Sequence, residues 1–302
     1  MKKFLFKTFL FFLILAIVDQ TAGMTFSHLG KHAKGGYVGH HNYIANTAKE
    51  DILIFGSSRA IHHYNPSILS VYLNMSCYNC GQDGNGIILF YGLWQMIRER
   101  YTPKMIVYDV TLGFDLNADG SNQKYLGWLR ADYDRPGIRD IFISIDANER
   151  YKMLSQMYRY NSKFLQNIID YLHPVFGIGG NGFLPLRGEL DTLKIRKEKK
   201  ERLTQSFKLD ELKLFYLNKL VDEAKVAGVR LVFAISPSWY GANEEQLKPI
   251  AQLCREKCIE LIDFSNDKKY THQSQYFKDG NHLNARGADE YTKDILPMLK
   301  QP

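Results

Sequence analysis

Five short, largely apolar runs constrain this chain most: 51–56, 76–79, 104–110, 230–236 and 259–263. Such brief, nearly continuous apolar character suits strands covered on both faces, as in a parallel sheet. Between the runs lie segments of helical period. Residues 66–73 carry Pro66 at a permitted first-turn position. Residues 87–100 place Ile88, Tyr91, Leu93, Trp94 and Ile97 at helical spacing. Residues 210–227 stop at Gly228, and 244–257 and 284–299 follow. This alternation predicts an α/β fold, a flavodoxin-like three-layer α/β/α sandwich around a parallel sheet. Residues 115–208 break the rhythm with helical stretches at about 138–172 and 190–205 and a glycine-rich loop, Gly177–Gly182, which predicts a helical insertion or cap. The 302 residues suffice for one such domain, expected over 51–302.

The N-terminus carries a different signal. Lys2 and Lys3 precede an apolar stretch from Phe4 to Val18, broken only by Lys7. A basic start before a short apolar run reads as a signal anchor or signal peptide over 1–22, with Lys7 able to snorkel. Thr21-Ala22-Gly23 offers small residues for cleavage. The positive-inside rule favours a retained anchor with the remainder extracytoplasmic, on the periplasmic or cell-surface side. Residues 23–50 read as a stalk or irregular lead-in.

The net charge of +7 does not gather into a nucleic-acid surface. Its one dense run, Lys194–Arg202, is interleaved with Glu198 and Glu201, as on a solvated helix face. The four cysteines, Cys77, Cys80, Cys254 and Cys258, suit core positions or a disulfide better than zinc, because Cys254 and Cys258 fall on a helix rather than a turn. His40-His41 and His62-His63 lack a carboxylate or thiolate spacing that would complete a metal site. No cofactor or metal is expected.

Two segments carry chemistry. Phe55-Gly56-Ser57-Ser58-Arg59 ends the first strand, and ligands of parallel α/β sheets gather at the carboxyl ends of strands. Ser58 stands there before a helix, where serine also serves as a cap. Near the C-terminus, Asp279-Gly280-Asn281-His282 precedes the last helix. A carboxylate three residues before an imidazole can orient the ring and stabilise its cation while the other nitrogen takes a proton from a hydroxyl. Asp-Gly-Asn is also a strong turn signal. Asp109 and Asp115 read as strand-end caps or turn formers, and Ser236-Pro237-Ser238-Trp239 as a loop able to line a pocket.

Taken together, these blocks resemble the SGNH/GDSL hydrolases, whose first block is a strand ending in Gly-Asp-Ser and whose last is Asp-x-x-His. Ser57 stands here in place of the first block's Asp. The resemblance covers roughly 50–113 and 210–299. It implies Ser58 as nucleophile, Asp279 and His282 as its activating pair, and an oxyanion hole from the backbone of Ser58 and of Gly84, with Gly81 as the alternative. The third block departs from the pattern. Where the family has Gly-x-Asn-Asp, this chain reads Asp109-Val110-Thr111-Leu112-Gly113-Phe114-Asp115. A missing oxyanion donor costs roughly 3–4 kcal/mol of transition-state stabilisation, which Thr111, Asn117 or Arg59 could restore. Arg59, Asn117 and Ser236 are the expected pocket residues. An anchor combined with an altered third block resembles the divergent branch of D-alanyl-lipoteichoic-acid and polysaccharide O-acetylation proteins. That likeness implies an esterase or O-acyltransferase acting on acylated envelope carbohydrate, with a membrane-bound O-acyltransferase as a partner. The alternative is a non-catalytic accessory of the same fold.

Overall fold

The computed structural model describes residues 1–118, 120–161, 163–174, 178–192 and 207–300. The Lys194–Arg202 run, most of the helix expected at 190–205, and Gly177 lie outside them. The chain forms two compact units, one of residues 1–46 with 121–177 and one of 47–120 with 178–302.

In chain order the elements are α1 (Lys2–His32), α2 (Gly36–Asn46), β1 (Ile52–Gly56), α3 (Ser58–His63), α4 (Pro66–Leu73), β2 (Cys77–Asn79), α5 (Ile87–Arg98), β3 (Met105–Asp109) and α6 (Leu112–Asp115). Then come α7 (Ile138–Ile145), α8 (Glu149–Lys152), α9 (Gln156–Tyr160), α10 (Phe164–Leu172), α11 (Glu211–Val226), β4 (Arg230–Ile235), α12 (Glu244–Lys257), β5 (Glu260–Asp263) and α13 (Ala285–Leu299).

The second unit holds a five-stranded sheet in the order β2-β1-β3-β4-β5, every pair parallel. Alternate residues of each strand feed opposite layers, because successive side chains point to opposite faces. Ile52, Ile54, Met105, Val107, Val232, Ala234 and Ile262 pack with Tyr291, Ile295 and Leu296 of α13. Phe55, Tyr108 and Phe233 face the other way, where Phe55 stacks on Phe90 of α5 and Tyr108 meets both Phe90 and Phe233 edge-on. The result is a three-layer α/β/α sandwich of the flavodoxin-like strand order, as the alternation of runs predicts. That order reverses direction between β1 and β3, where such folds bind ligands.

The helical insertion is divided. Residues 121–177 belong with the N-terminal helices, and 178–192 belong with the sheet. Residues 23–50, expected to be irregular, are instead mostly helical, in the end of α1 and in α2. Their pattern is hidden because packing within their own unit, not an amphipathic period, holds them. A Cβ at Gly23 would stand 2.2 Å from the Cβ of Gln156, so α1 and α9 cross at that glycine. Phe26 meets Phe164 of α10, and Asn42 donates to the carbonyls of Gly30 and Ala33 at the end of α1. α1 is long and apolar enough to cross a membrane, and Phe4–Val18 is largely exposed, compatible with an anchor or a signal sequence.

All four cysteines are unpaired, with Cys77, Cys80 and Cys254 buried and Cys258 exposed. Burial pushes the Cys254 thiol up to about 11, so it behaves as an apolar core group. Among the described residues no cluster of three or more His, Cys, Asp or Glu side chains is placed to hold a metal ion.

Candidate active site

β1 must turn sharply to start α3, and Gly56 permits it with φ +136°. A side chain there would also meet the Asp109 carbonyl at 2.6 Å, so glycine is required by both conformation and space. Ser57 stands just before α3 without capping it through its side chain; it is fully buried, its hydroxyl 2.8 Å from that of Thr111 after β3. Ser58 is the first residue of α3 and lines a cavity of about 790 Å³ at the carboxyl ends of the strands.

The loop before α13 brings the other two predicted residues to Ser58. Lys278 N–H donates to the His282 carbonyl, and Phe277 bridges Leu283, which closes a tight loop. Asn284 caps α13 by accepting from the Gly287 N–H. Within this frame the Nε2 of His282 lies 2.8 Å from Ser58 Oγ, and its Nδ1 lies 2.9 Å from both carboxylate oxygens of Asp279. Asp279 Oδ1 also accepts the N–H groups of Asn281 and His282. Partial burial pushes the Asp279 carboxyl up, but the hydrogen bond and charge of His282, with those two N–H groups, outweigh it and hold it below the usual carboxylate range. A carboxylate, an imidazole and a hydroxyl in a hydrogen-bonded row can move a proton off the hydroxyl and make its oxygen nucleophilic.

Two histidines flank His282. His63 is fully buried, and its Nε2 accepts the Leu283 N–H at 2.9 Å. Its proton must therefore sit on Nδ1, which is 2.9 Å from Ser236 Oγ. Burial first, then the neighbouring Arg59 guanidinium, keeps His63 well below the usual histidine range, in agreement with that neutral form. His62 lies with Nδ1 2.6 Å from the Leu184 carbonyl and Nε2 3.2 Å from Asp83, its ring edge-on to His282. In the sequence this pair suggests at most metal binding. The available signal was their position at the far end of the short helix that Ser58 begins.

The expected pocket residues divide. Arg59 and Asn117 line the cavity. Arg59 donates through Nε to Ser236 Oγ and through a terminal nitrogen to the Ser236 carbonyl, and lies 3.9 Å from Asp109. Ser236 itself is buried beneath the cavity and Ser238 takes the lining position, because β4 ends one residue before Ser236 and the Ser236 hydroxyl is drawn inward by Arg59 and His63. Asp109 is buried beside Ser236, and that burial raises its carboxyl against the pull of Arg59. Asp115 forms the turn after β3: it accepts from the N–H groups of Ile87 and Thr111 and from the Tyr108 hydroxyl.

Gly84, expected at the oxyanion hole, lies on an exposed turn with φ +68° and is absent from the cavity lining. Its alternative Gly81 donates its N–H to Asn79 Oδ1 and packs against Ile61. The loop after β3 lines the cavity instead, through Thr111, Leu112 and Gly113. Lys213 of α11 braces that loop by donating to the Asn117 carbonyl at 2.6 Å.

No family model matches the chain, and no curated protein matches it. Among solved structures the chain is similar to a protein assigned as lipolytic and of the G-D-S-L family, from Desulfitobacterium hafniense DCB-2. Identity is 10%, the TM-score is 0.39, and the match covers 82% of this chain and 97% of the other. A likeness at that level does not bear on the chemistry of the site.

Proposed function

We propose that this chain is a serine-dependent esterase or O-acyltransferase of SGNH type, tethered by α1 and acting outside the cytoplasm on acylated envelope carbohydrate. The carrying observation is the row Asp279–His282–Ser58, which opens on the large cavity at the β1/β3 switch point. In this reading His282 takes the Ser58 proton as Oγ attacks an ester carbonyl. The Oγ–acyl bond forms, the ester C–O bond breaks, and His282 returns the proton to the leaving alcohol. Water or a sugar hydroxyl then attacks the acyl-serine by the same base and regenerates Ser58. The Ser58 N–H is one oxyanion donor. The loop Thr111–Gly113, standing where the family has its Asn, is better placed than Gly84 to add another.

Labelling with a fluorophosphonate tests the reading. Wild type should label, and Ser58→Ala and His282→Ala should not. Equal labelling of Ser58→Ala would remove the nucleophile assignment. The altered third block favours a second reading, a non-catalytic accessory to a membrane-bound O-acyltransferase. Full cellular function in a Ser58→Ala strain would select it.

A further inference from the structure

The helical unit carries an apolar surface that the proposed chemistry does not use. Tyr151 is 58% exposed, Leu154 73% and Met157 43%. They cluster where α8 passes into α9, and this junction is fastened to α1 at a definite level. Asp19 accepts from Ser155 Oγ and from the N–H groups of Gln156 and Met157, and Gly23, one helical turn further on, is crossed by Gln156.

That level is where a bilayer would end. The apolar run Phe4–Val18 rises only about 22 Å, short of a hydrocarbon core of roughly 30 Å. Some twenty residues counted from Phe4 are needed to span it, and they end at Gly23. A helix too short for its membrane draws the lipid boundary towards whatever flanks it. The flank here is the Tyr151–Met157 junction. Asp19 does not oppose this placement, because its carboxylate is occupied by the first N–H groups of α9. Tyr151 has the chemistry of the interface. The exposed guanidinium of Arg150 lies 4.6 Å from its ring centre and donates to its hydroxyl at 2.7 Å. A tyrosine ring with a cationic group beside it suits the headgroup layer, where amphipathic rings and snorkelling cations gather.

We propose that Tyr151, Leu154 and Met157 form a membrane foot that enters the lipid interface where α1 leaves the bilayer. The proposal rests on α1 being a retained anchor. The foot fixes the helical unit against the membrane at two elements instead of one, which limits its rotation about the anchor.

The test uses the full chain, with exposed Cys258 replaced by Ser, reconstituted in vesicles of phosphatidylcholine and phosphatidylglycerol. Nitroxide labels are placed singly at Phe11→Cys, Leu154→Cys and Met157→Cys, and their collisions with oxygen and with a water-soluble nickel chelate are compared. All three labels should favour oxygen, Phe11→Cys most strongly. If Phe11→Cys favours oxygen while Leu154→Cys and Met157→Cys favour the chelate, the foot is refuted and the anchor stands. If Phe11→Cys itself favours the chelate, the anchor fails and the foot with it. Leu154 and Met157 are exposed, so loss of packing does not confound the outcome.

Discussion

Replacing His63 by Phe isolates the contact that ties the Ser58 helix to the His282 loop. Phenylalanine fills much of the same space but offers no acceptor to the Leu283 N–H and no donor to Ser236 Oγ. A buried N–H left without a partner costs about 1–3 kcal/mol, and the second lost hydrogen bond adds roughly 1 kcal/mol, so His63→Phe should destabilise the sheet unit by about 2–4 kcal/mol. His63→Gln, which can keep an acceptor and a donor, should recover much of this. The assay is urea unfolding of the detergent-solubilised chain on a Trp128→Phe background, leaving Trp94 and Trp239 of the sheet unit as reporters. Fluorophosphonate labelling rates measured in parallel should fall in His63→Phe beyond the loss of folded protein, because the peptide next to His282 is no longer held. The pH dependence gives a second signature. The folded-state pKa of His63 is depressed, so its neutral form contributes stability that is full above the unfolded value of 6.5 and is lost as pH falls below it. His63→Phe and His63→Gln should lack that loss. A His63→Phe protein within about 0.5 kcal/mol of wild type, labelling at the same rate and with an unchanged acid limb, would refute the reasoning.

Other expectations are equally direct. Asp279→Asn removes the charge that stabilises the His282 cation and can reverse its tautomer, so labelling should slow by roughly two to four orders of magnitude while circular dichroism stays unchanged. Gly56→Ala combines a glycine-only φ with a 2.6 Å approach to the Asp109 carbonyl, and its urea midpoint should correspond to a loss of more than about 2 kcal/mol. Burial pushes the Asp115 carboxyl up to about 7 from an ordinary 3.8, so its share of stability is complete below the lower value and is lost as pH rises through the upper one. Stability measured from pH 4 to 8 should therefore flatten in Asp115→Asn. Lys213→Met removes the donor to the Asn117 carbonyl, and it should slow labelling through the loop after β3 more than it lowers the urea midpoint.

Local pattern was enough to set the sheet, because a strand buried on both faces must be apolar along most of its length, and at β1 a glycine ends it where the chain turns. The runs around Leu53, Val107 and Val232 and the helices between them are thus legible in order, as are the two ends of the Asp279–His282–Ser58 row. What the sequence alone could not supply was anything depending on which face of a loop meets which neighbour. Gly84 has the right residue type and spacing for an oxyanion donor, yet Thr111, Leu112 and Gly113 of the loop after β3 line the cavity beside Ser58 and Gly84 does not. His63 was legible as a histidine but not as the acceptor for Leu283, since 220 residues separate the two. Residues 23–50 hid their helices for the same reason: polar, glycine-rich segments acquire helical order from the partners they pack on, and those partners lie beyond residue 120. Periodicity is a property of the chain, whereas a hydrogen bond between distant residues exists only after the fold has brought them together.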